Sequence, residues 1–235
     1  MYTVNARYMN KKILHNLFLA VPIILAIIFG FPKSVSAAPK LEKTIGNVKH
    51  YIYDSKCKGA TKQNLIFDGT TASFEDTYLF IHGQTAPSPE GYCGDKGFDL
   101  CTRAAEKTKS IFVGFAMSGS GATWVNAFDF TCLYNEAKAQ ISELGKTMPS
   151  SHILAAFSYG GGALKKIYTN KVQPPNVKYT LFFDACFPGW CEVVAKIPSS
   201  ARGNMNIYAS NALGNQNGPK NQEGAQKAME VSNDA

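Results

Sequence analysis

The stretch SHILAAFSYGGGALKKIY, residues 151–168, joins an apolar, β-rich run to a helical pattern through one serine, one tyrosine and three glycines. A chain that turns this sharply from strand to helix needs small neighbours, because the two backbones almost touch. Ala156 and Gly160, which lie two residues before and after Ser158, meet that need. We therefore expect Ser158 to lie on a tight turn, with its hydroxyl above the edge of a sheet.

Strand and helix patterns alternate along the chain from residue 50 onwards. This alternation predicts an α/β fold with right-handed crossovers and a mostly parallel sheet flanked by helices. In such sheets, ligands bind at the carboxyl ends of the strands, which is where Ser158 falls. The strand-like runs are HYIYDSK, NLIFDGT, DTYLFIHG, SIFVGFA, HILAAF, VKYTLFFDA and NMNIYAS, and the helical patterns cover FDLCTRAAEKTKS, residues 129–146, GGALKKIYTN and the tail from residue 221.

Two motifs in this pattern are similar to motifs of the α/β-hydrolase family. AFSYG resembles the family's nucleophile elbow, G-x-S-x-G, with alanine at the first position. YLFIHGQTA resembles the family's strand that ends in His-Gly and leads into the oxyanion loop. The resemblance implies that Ser158 is a nucleophile and that the backbone N–H groups of Gln84 and Tyr159 form the oxyanion hole. His82 and Gly83 would support the oxyanion loop.

The resemblance also predicts an acid and a base after the nucleophile, in the chain order serine, acid, histidine. Asp184 ends the strand that follows Ser158, so we take it as the candidate acid. The family's acid more often follows the next strand, but NIYASNALGN contains no carboxylate.

No histidine follows Ser158 in this sequence. His50 lies at the start of the first predicted strand, and His82 belongs to the His-Gly turn. His152 opens its strand and should lie near the opposite edge of the sheet. We therefore expect the catalytic histidine to lie beyond residue 235, and the last strand of the fold to be missing from this chain. A hydrolase-like protein that binds without cleaving is the alternative.

Together these features predict an exported serine hydrolase that acts on a carboxylic ester or a related acyl substrate, either a small molecule or part of a cell envelope. A peptidase or amidase with the same machinery is a further alternative. The sequence implies no metal, no cofactor and no stable partner. Four aromatic residues in predicted loops are candidates for lining a pocket, with ordinary packing as the alternative: Tyr92, Trp124, Phe187 and Trp190.

The first 37 residues resemble a secretory leader. They contain four basic residues and no acidic one, an apolar run at residues 13–31, and the small-residue exit Val35-Ser36-Ala37. We expect residues 1–37 to be a leader and residues 38–235 to form one α/β-hydrolase domain that is incomplete at its carboxyl end. The mature protein, without the leader, would be secreted or periplasmic. It would be membrane-anchored if the leader is not cleaved, because the apolar run is close to the length of a spanning helix.

The net charge and the cysteines of the exported part limit the class of function and the compartment. Without the four leader charges, 20 basic residues face 17 acidic ones, a balance that excludes a nucleic-acid-binding class. All six cysteines follow residue 37, which indicates disulfides in an oxidising compartment. Cys93–Cys101 and Cys186–Cys191 are the simplest local pairs, although six cysteines allow about 15 connectivities.

Overall fold

The computed structural model describes residues 38–83, 89–93, 98–119, 122–209 and 218–233. The predicted leader and Gln84 lie outside these ranges. The described strands form a single eight-stranded sheet in the order β1-β2-β3-β5-β4-β6-β7-β8. The strands are β1 (Lys40–Ile45), β2 (Val48–Asp54), β3 (Ala60–Asp68), β4 (Asp76–Ile81), β5 (Ser110–Met117), β6 (Ser151–Phe157), β7 (Val177–Phe183) and β8 (Asn204–Tyr208).

Helices in the described residues connect most of the strands from β4 onwards. They are α1 (Leu100–Glu106), α2 (Ala122–Ala127), α3 (Phe130–Glu143), α4 (Gly160–Thr169), α5 (Cys191–Ala195), α6 (Ser199–Arg202) and α7 (Gly218–Asn233), with a 3-10 turn at Pro89–Cys93. In this part of the chain no strand follows β8, and none of the helices is both long and apolar enough to cross a membrane.

The sheet has a parallel part and an antiparallel edge. Strands β5, β4, β6, β7 and β8 pair in parallel, whereas β1, β2 and β3 add antiparallel ladders on one side. The predicted α/β class with a mostly parallel sheet flanked by helices is confirmed. Strand β1 was not predicted, because all six of its residues are exposed and its KLEKTI sequence lacks a buried face.

Apolar side chains cover both faces of the sheet. Leu154 and Ala156 of β6 pack on one face with the helices α3 and α4, and Ala155 packs on the other face with α1. This two-sided burial explains why HILAAF is a continuous apolar run rather than an alternating one. The long helix predicted at residues 129–146 is present as α3, and its Leu133 and Ile141 are fully buried against the sheet.

All six cysteines are paired, and the two local pairs that the sequence predicted are present. The third disulfide, Cys57–Cys132, joins the β2–β3 loop to α3 across 75 residues of sequence. Next to it, the Ser55 hydroxyl donates a hydrogen bond to the Glu136 carboxylate at 2.6 Å. The β2–β3 loop is therefore held to α3 by both a covalent bond and a hydrogen bond.

Candidate active site

The carboxyl ends of β6, β7 and β8 bring Ser158 and Asp184 to the same edge of the sheet. Phe157 pairs with Phe183, and Phe183 pairs with Tyr208. The N–H of Ser158 donates to the Phe183 carbonyl at 3.1 Å, and the N–H of Asp184 donates to the Tyr208 carbonyl at 2.8 Å. Because the two residues follow paired positions on neighbouring strands, their backbones lie about 5 Å apart.

Both residues have left-handed backbone conformations, with φ of 51° at Ser158 and 46° at Asp184. Side chains other than glycine rarely adopt this region, and a residue held there typically costs about 1–3 kcal/mol. The chain leaves β6 at Ser158 and enters α4 only two residues later. Ser158 is half-buried on this strand-to-helix turn.

The glycines after Ser158 allow α4 to pack against the neighbouring backbone. A Cβ atom on Gly160 would lie 2.6 Å from the Ile81 carbonyl oxygen and 2.7 Å from that of His82. A Cβ atom on Gly161 would overlap the carbonyl oxygen of Ala185. Larger side chains at these two positions would therefore push α4 away from the ends of β4 and β7.

His82 and Gly83, at the end of β4, lie directly beside the serine turn. A Cβ atom on Gly83 would be 2.9 Å from the Cβ atom of Ser158. The Met117 N–H donates to His82 Nε2 at 3.1 Å, so the ring proton is on Nδ1, which donates to the Gly83 carbonyl at 2.6 Å. Both ring nitrogens are therefore engaged, and His82 holds the backbone at Gly83 rather than facing Ser158.

The electrostatics of His82 also make it a poor proton acceptor. The side chain is completely buried, with its ring centroid 4.9 Å from that of Trp124. Burial lowers the pKa of the His82 imidazole to about 4, although the hydrogen bond to Gly83 opposes this shift. The imidazole is therefore neutral at physiological pH.

This buried imidazole predicts a loss of stability at acidic pH. The pKa of His82 is about 4 in the folded chain and roughly 6.5 in the unfolded chain, so the unfolded state binds more protons between those values. We expect protonation of His82 to lower the free energy of unfolding by about 3 kcal/mol as the pH drops from 6.5 to 4. Above pH 6.5 His82 should make no further contribution to the pH dependence.

Urea unfolding of the wild type and of His82→Gln at several pH values between 7 and 4 measures the His82 contribution. Glutamine keeps a hydrogen-bonding side chain but does not titrate. Burial also lowers the pKa of His152, but that residue is present in both proteins, so the difference between their pH profiles isolates His82. Parallel profiles would contradict the prediction.

The other two histidines in the described residues are remote from Ser158. His152 lies at the amino end of β6, as predicted, where its Nε2 is 3.0 Å from the Tyr134 hydroxyl. His50 was expected at the start of the first strand, but the strand begins two residues earlier. His50 is buried within β2, which starts at Val48, and its Nε2 lies 2.9 Å from Asn64 Oδ1.

The backbone N–H of Tyr159 is available at the amino end of α4. It makes no hydrogen bond to any residue that the structure describes, and the helix that follows runs for ten residues. Gln84, the second predicted oxyanion donor, lies outside the described residues. Among the described residues the Tyr159 N–H therefore has no partner, and the roles of Tyr159 and Gln84 as oxyanion donors stay predictions.

The four candidate aromatic residues separate into two groups. Tyr92 and Trp124 are completely buried in the core, so they pack rather than line a surface pocket. Phe187 and Trp190 are half-buried and form an aromatic cluster with Tyr159, with ring centroids 4.9–5.9 Å apart. The sequence did not single out the Tyr159 side chain, although CFPGWC already placed two aromatic residues in one tight turn.

Two groups of potential metal ligands occur in the described residues, and both contain disulfide-bonded cysteines. One is His50 with Cys93 and Cys101, and the other is Glu136 with Cys57 and Cys132. A sulfur atom in a disulfide is not a thiolate, so neither group has the ligands that a metal ion requires.

No protein-family model matches the chain, and no curated protein matches it. Several solved structures, in contrast, superpose on this chain. LpqC, a poly(3-hydroxybutyrate) depolymerase from Bordetella parapertussis, superposes with a TM-score of 0.52 at 14% identity over 80% of this chain and 77% of its own. A thermostable esterase from Pseudomonas putida gives a TM-score of 0.42 at 14% identity over 63% of this chain and 47% of its own.

LipA, a rice cell wall degrading esterase from Xanthomonas oryzae, gives a TM-score of 0.42 at 15% identity over 59% of this chain. This chain spans less than half the length of LipA and of the P. putida esterase, 43% and 47% respectively. At such identities the likeness concerns the fold alone, and the superposition on LpqC agrees with the mostly parallel sheet and its flanking helices. The chain therefore has the α/β-hydrolase fold.

Proposed function

We propose that the protein is an exported serine hydrolase that cleaves a carboxylic ester or a related acyl substrate, with Ser158 as the nucleophile. The observation that carries this proposal is the left-handed turn that holds Ser158 between β6 and α4, at the same edge of the sheet as Asp184. The N–H of Tyr159, the next residue, has no hydrogen-bond partner in the part of the chain that the structure describes. A strained serine turn of this kind has no packing purpose of its own and is typical of sites where geometry serves function.

In the proposed reaction, Ser158 Oγ attacks the acyl carbon of the ester, and the carbonyl oxygen becomes an oxyanion. The N–H groups of Tyr159 and Gln84 donate hydrogen bonds to this oxygen, each contributing roughly 3 kcal/mol to transition-state stabilisation. Collapse of the tetrahedral intermediate expels the alkoxide and leaves the acyl group on Ser158. Water then attacks this acyl-enzyme and restores the free serine.

The proton chemistry requires a base and an acid that orients it. The base takes the Ser158 hydroxyl proton and passes it to the leaving alkoxide. We assign the base to a histidine outside the described residues, because His50, His82 and His152 are all engaged elsewhere. Asp184 is the acid that would orient this histidine, since it shares the sheet edge with Ser158.

An ester substrate agrees with the named activity of the structural neighbour LpqC. LpqC is a poly(3-hydroxybutyrate) depolymerase, and poly(3-hydroxybutyrate) is an ester-linked polymer. Covalent labelling with a fluorophosphonate, which reacts with activated serine nucleophiles, tests the proposal on protein expressed from its complete reading frame.

We further propose that residues 1–37 are removed during export. Three disulfides in the described residues support folding in an oxidising compartment. We expect N-terminal sequencing of protein recovered from the periplasm or the medium to begin at Ala38. Recovery of a membrane-bound chain that still begins at Met1 or Met9 would contradict cleavage.

A further inference from the structure

A groove with a volume of about 390 Å³ runs along α4, starting beside the serine turn. Tyr159, Gly162, Lys165 and Thr169 line one wall at helical spacing, and Trp190 lies at the end nearest the turn, where its ring contacts that of Tyr159. The opposite wall is formed by the end of α2. Tyr159 to Thr169 spans about 15 Å of helix axis, so the groove could hold an elongated ligand.

The end of the groove nearest Ser158 is aromatic. Tyr159, Phe187 and Trp190 contact one another and keep part of their ring surfaces exposed. At Gly162 a Cβ atom would lie 3.3 Å from Trp190 and 3.4 Å from Val125, so the glycine lets both of these side chains pack closely against α4. Clustered aromatic rings of this kind bind flat rings by stacking or edge contact.

The middle of the groove is cationic. Lys166 is committed to the protein, since its Nζ donates to the carbonyl oxygens of Asn126 at 2.7 Å and Phe128 at 3.0 Å. The Lys165 carbonyl accepts a hydrogen bond from the Thr169 hydroxyl at 2.9 Å, but the Lys165 ammonium group makes no hydrogen bond or ion pair with any described residue. No carboxylate is among the described residues that line the groove. The ammonium group of Lys165 is therefore available to an anionic ligand.

We propose that this groove is a specificity subsite for esters whose acyl or alcohol part carries an aromatic ring with a negatively charged substituent. The ring would pack on the cluster of Tyr159, Phe187 and Trp190, and the anion would approach Lys165. About 9 Å of helix axis separates Tyr159 from Lys165, a span that a flexible lysine side chain shortens. The inference rests on the proposed function, because Tyr159 joins the groove to the proposed oxyanion donor.

Binding can be measured without turnover in Ser158→Ala protein expressed from the complete reading frame. The probes are para-trifluoromethylbenzoate and its neutral amide, para-trifluoromethylbenzamide, observed by fluorine NMR. We expect the benzoate to bind about threefold more tightly than the benzamide, as befits one partly exposed ion pair. Lys165→Gln should remove this preference. Phe187→Leu should weaken the binding of both probes by about threefold.

Lys171→Gln is the matched control, because it removes the same charge just beyond α4 and outside the groove. It should preserve the preference for benzoate. Equal affinities for the two probes, a preference that survives Lys165→Gln, or one that is lost equally in Lys171→Gln would overturn the assignment. Labelling at Ser158 is measured separately, so a protein that labels but shows no preference contradicts the groove alone. A protein that shows the preference but does not label contradicts the hydrolase proposal, and the groove is then an anion-binding groove and not a subsite for esters.

Discussion

Ser158→Ala is expected to abolish covalent labelling by a fluorophosphonate, whereas the wild type labels at a single peptide that contains residue 158. An ordinary serine hydroxyl reacts poorly at neutral pH, and only a serine activated by a base forms the adduct quickly. Deleting the nucleophile of a triad typically lowers the rate about a millionfold. The measurement is the pseudo-first-order labelling rate of protein expressed from its complete reading frame, with peptide mapping of the adduct.

Two further variants separate the roles within the site. Asp184→Asn should slow labelling by about 10⁴-fold if the carboxylate orients the base. Ser142→Ala is the control, because this serine is exposed on α3 and far from the carboxyl ends of the strands. Labelling that persists in Ser158→Ala would identify a different nucleophile. A folded wild type that never labels would favour the alternative of a hydrolase-like binding protein.

The placement of Ser158 and Asp184 at the same edge of the sheet could be predicted from the sequence, because it depends only on where parallel strands end. Both residues follow apolar runs of parallel strands, and such strands end at the same edge of the sheet. The His82-Gly83 turn was predictable for the same reason. The hydrogen bond from Met117 to the His82 ring was not, because it depends on how β5 lies against β4, and that hydrogen bond excludes His82 as the base.

Features that depend on contacts between distant parts of the chain could not be predicted from the sequence. Strand β1 is exposed on both faces and gives no hydrophobic pattern, so only its pairing with β2 reveals it. The groove beside α4 needs the end of α2, which is about 35 residues earlier in the chain. The spacing of Tyr159, Gly162 and Lys165 was visible in the sequence, but one helix stripe alone is ordinarily a solvated face.

The disulfide Cys57–Cys132 could not be predicted from the sequence either, because only local cysteine pairs are suggested by spacing and these two cysteines lie 75 residues apart. This separation predicts its contribution to stability. A cross-link lowers the conformational entropy of the unfolded chain in proportion to the logarithm of the loop that it closes. We expect the double variant Cys57→Ser/Cys132→Ser to lose about 4 kcal/mol of unfolding free energy.

The matched comparison is Cys186→Ser/Cys191→Ser, which opens a loop with a sequence separation of only 5 and should cost about 2 kcal/mol. Urea unfolding of both double variants and the wild type, without reductant, gives the two losses. Removing Cys57–Cys132 should cost more, because the loop that it closes runs from the β2–β3 loop to the start of α3. The disulfide restricts the freedom of this whole segment in the unfolded state. Equal losses, or a larger loss from the short loop, would mean that native packing around each cystine outweighs chain entropy.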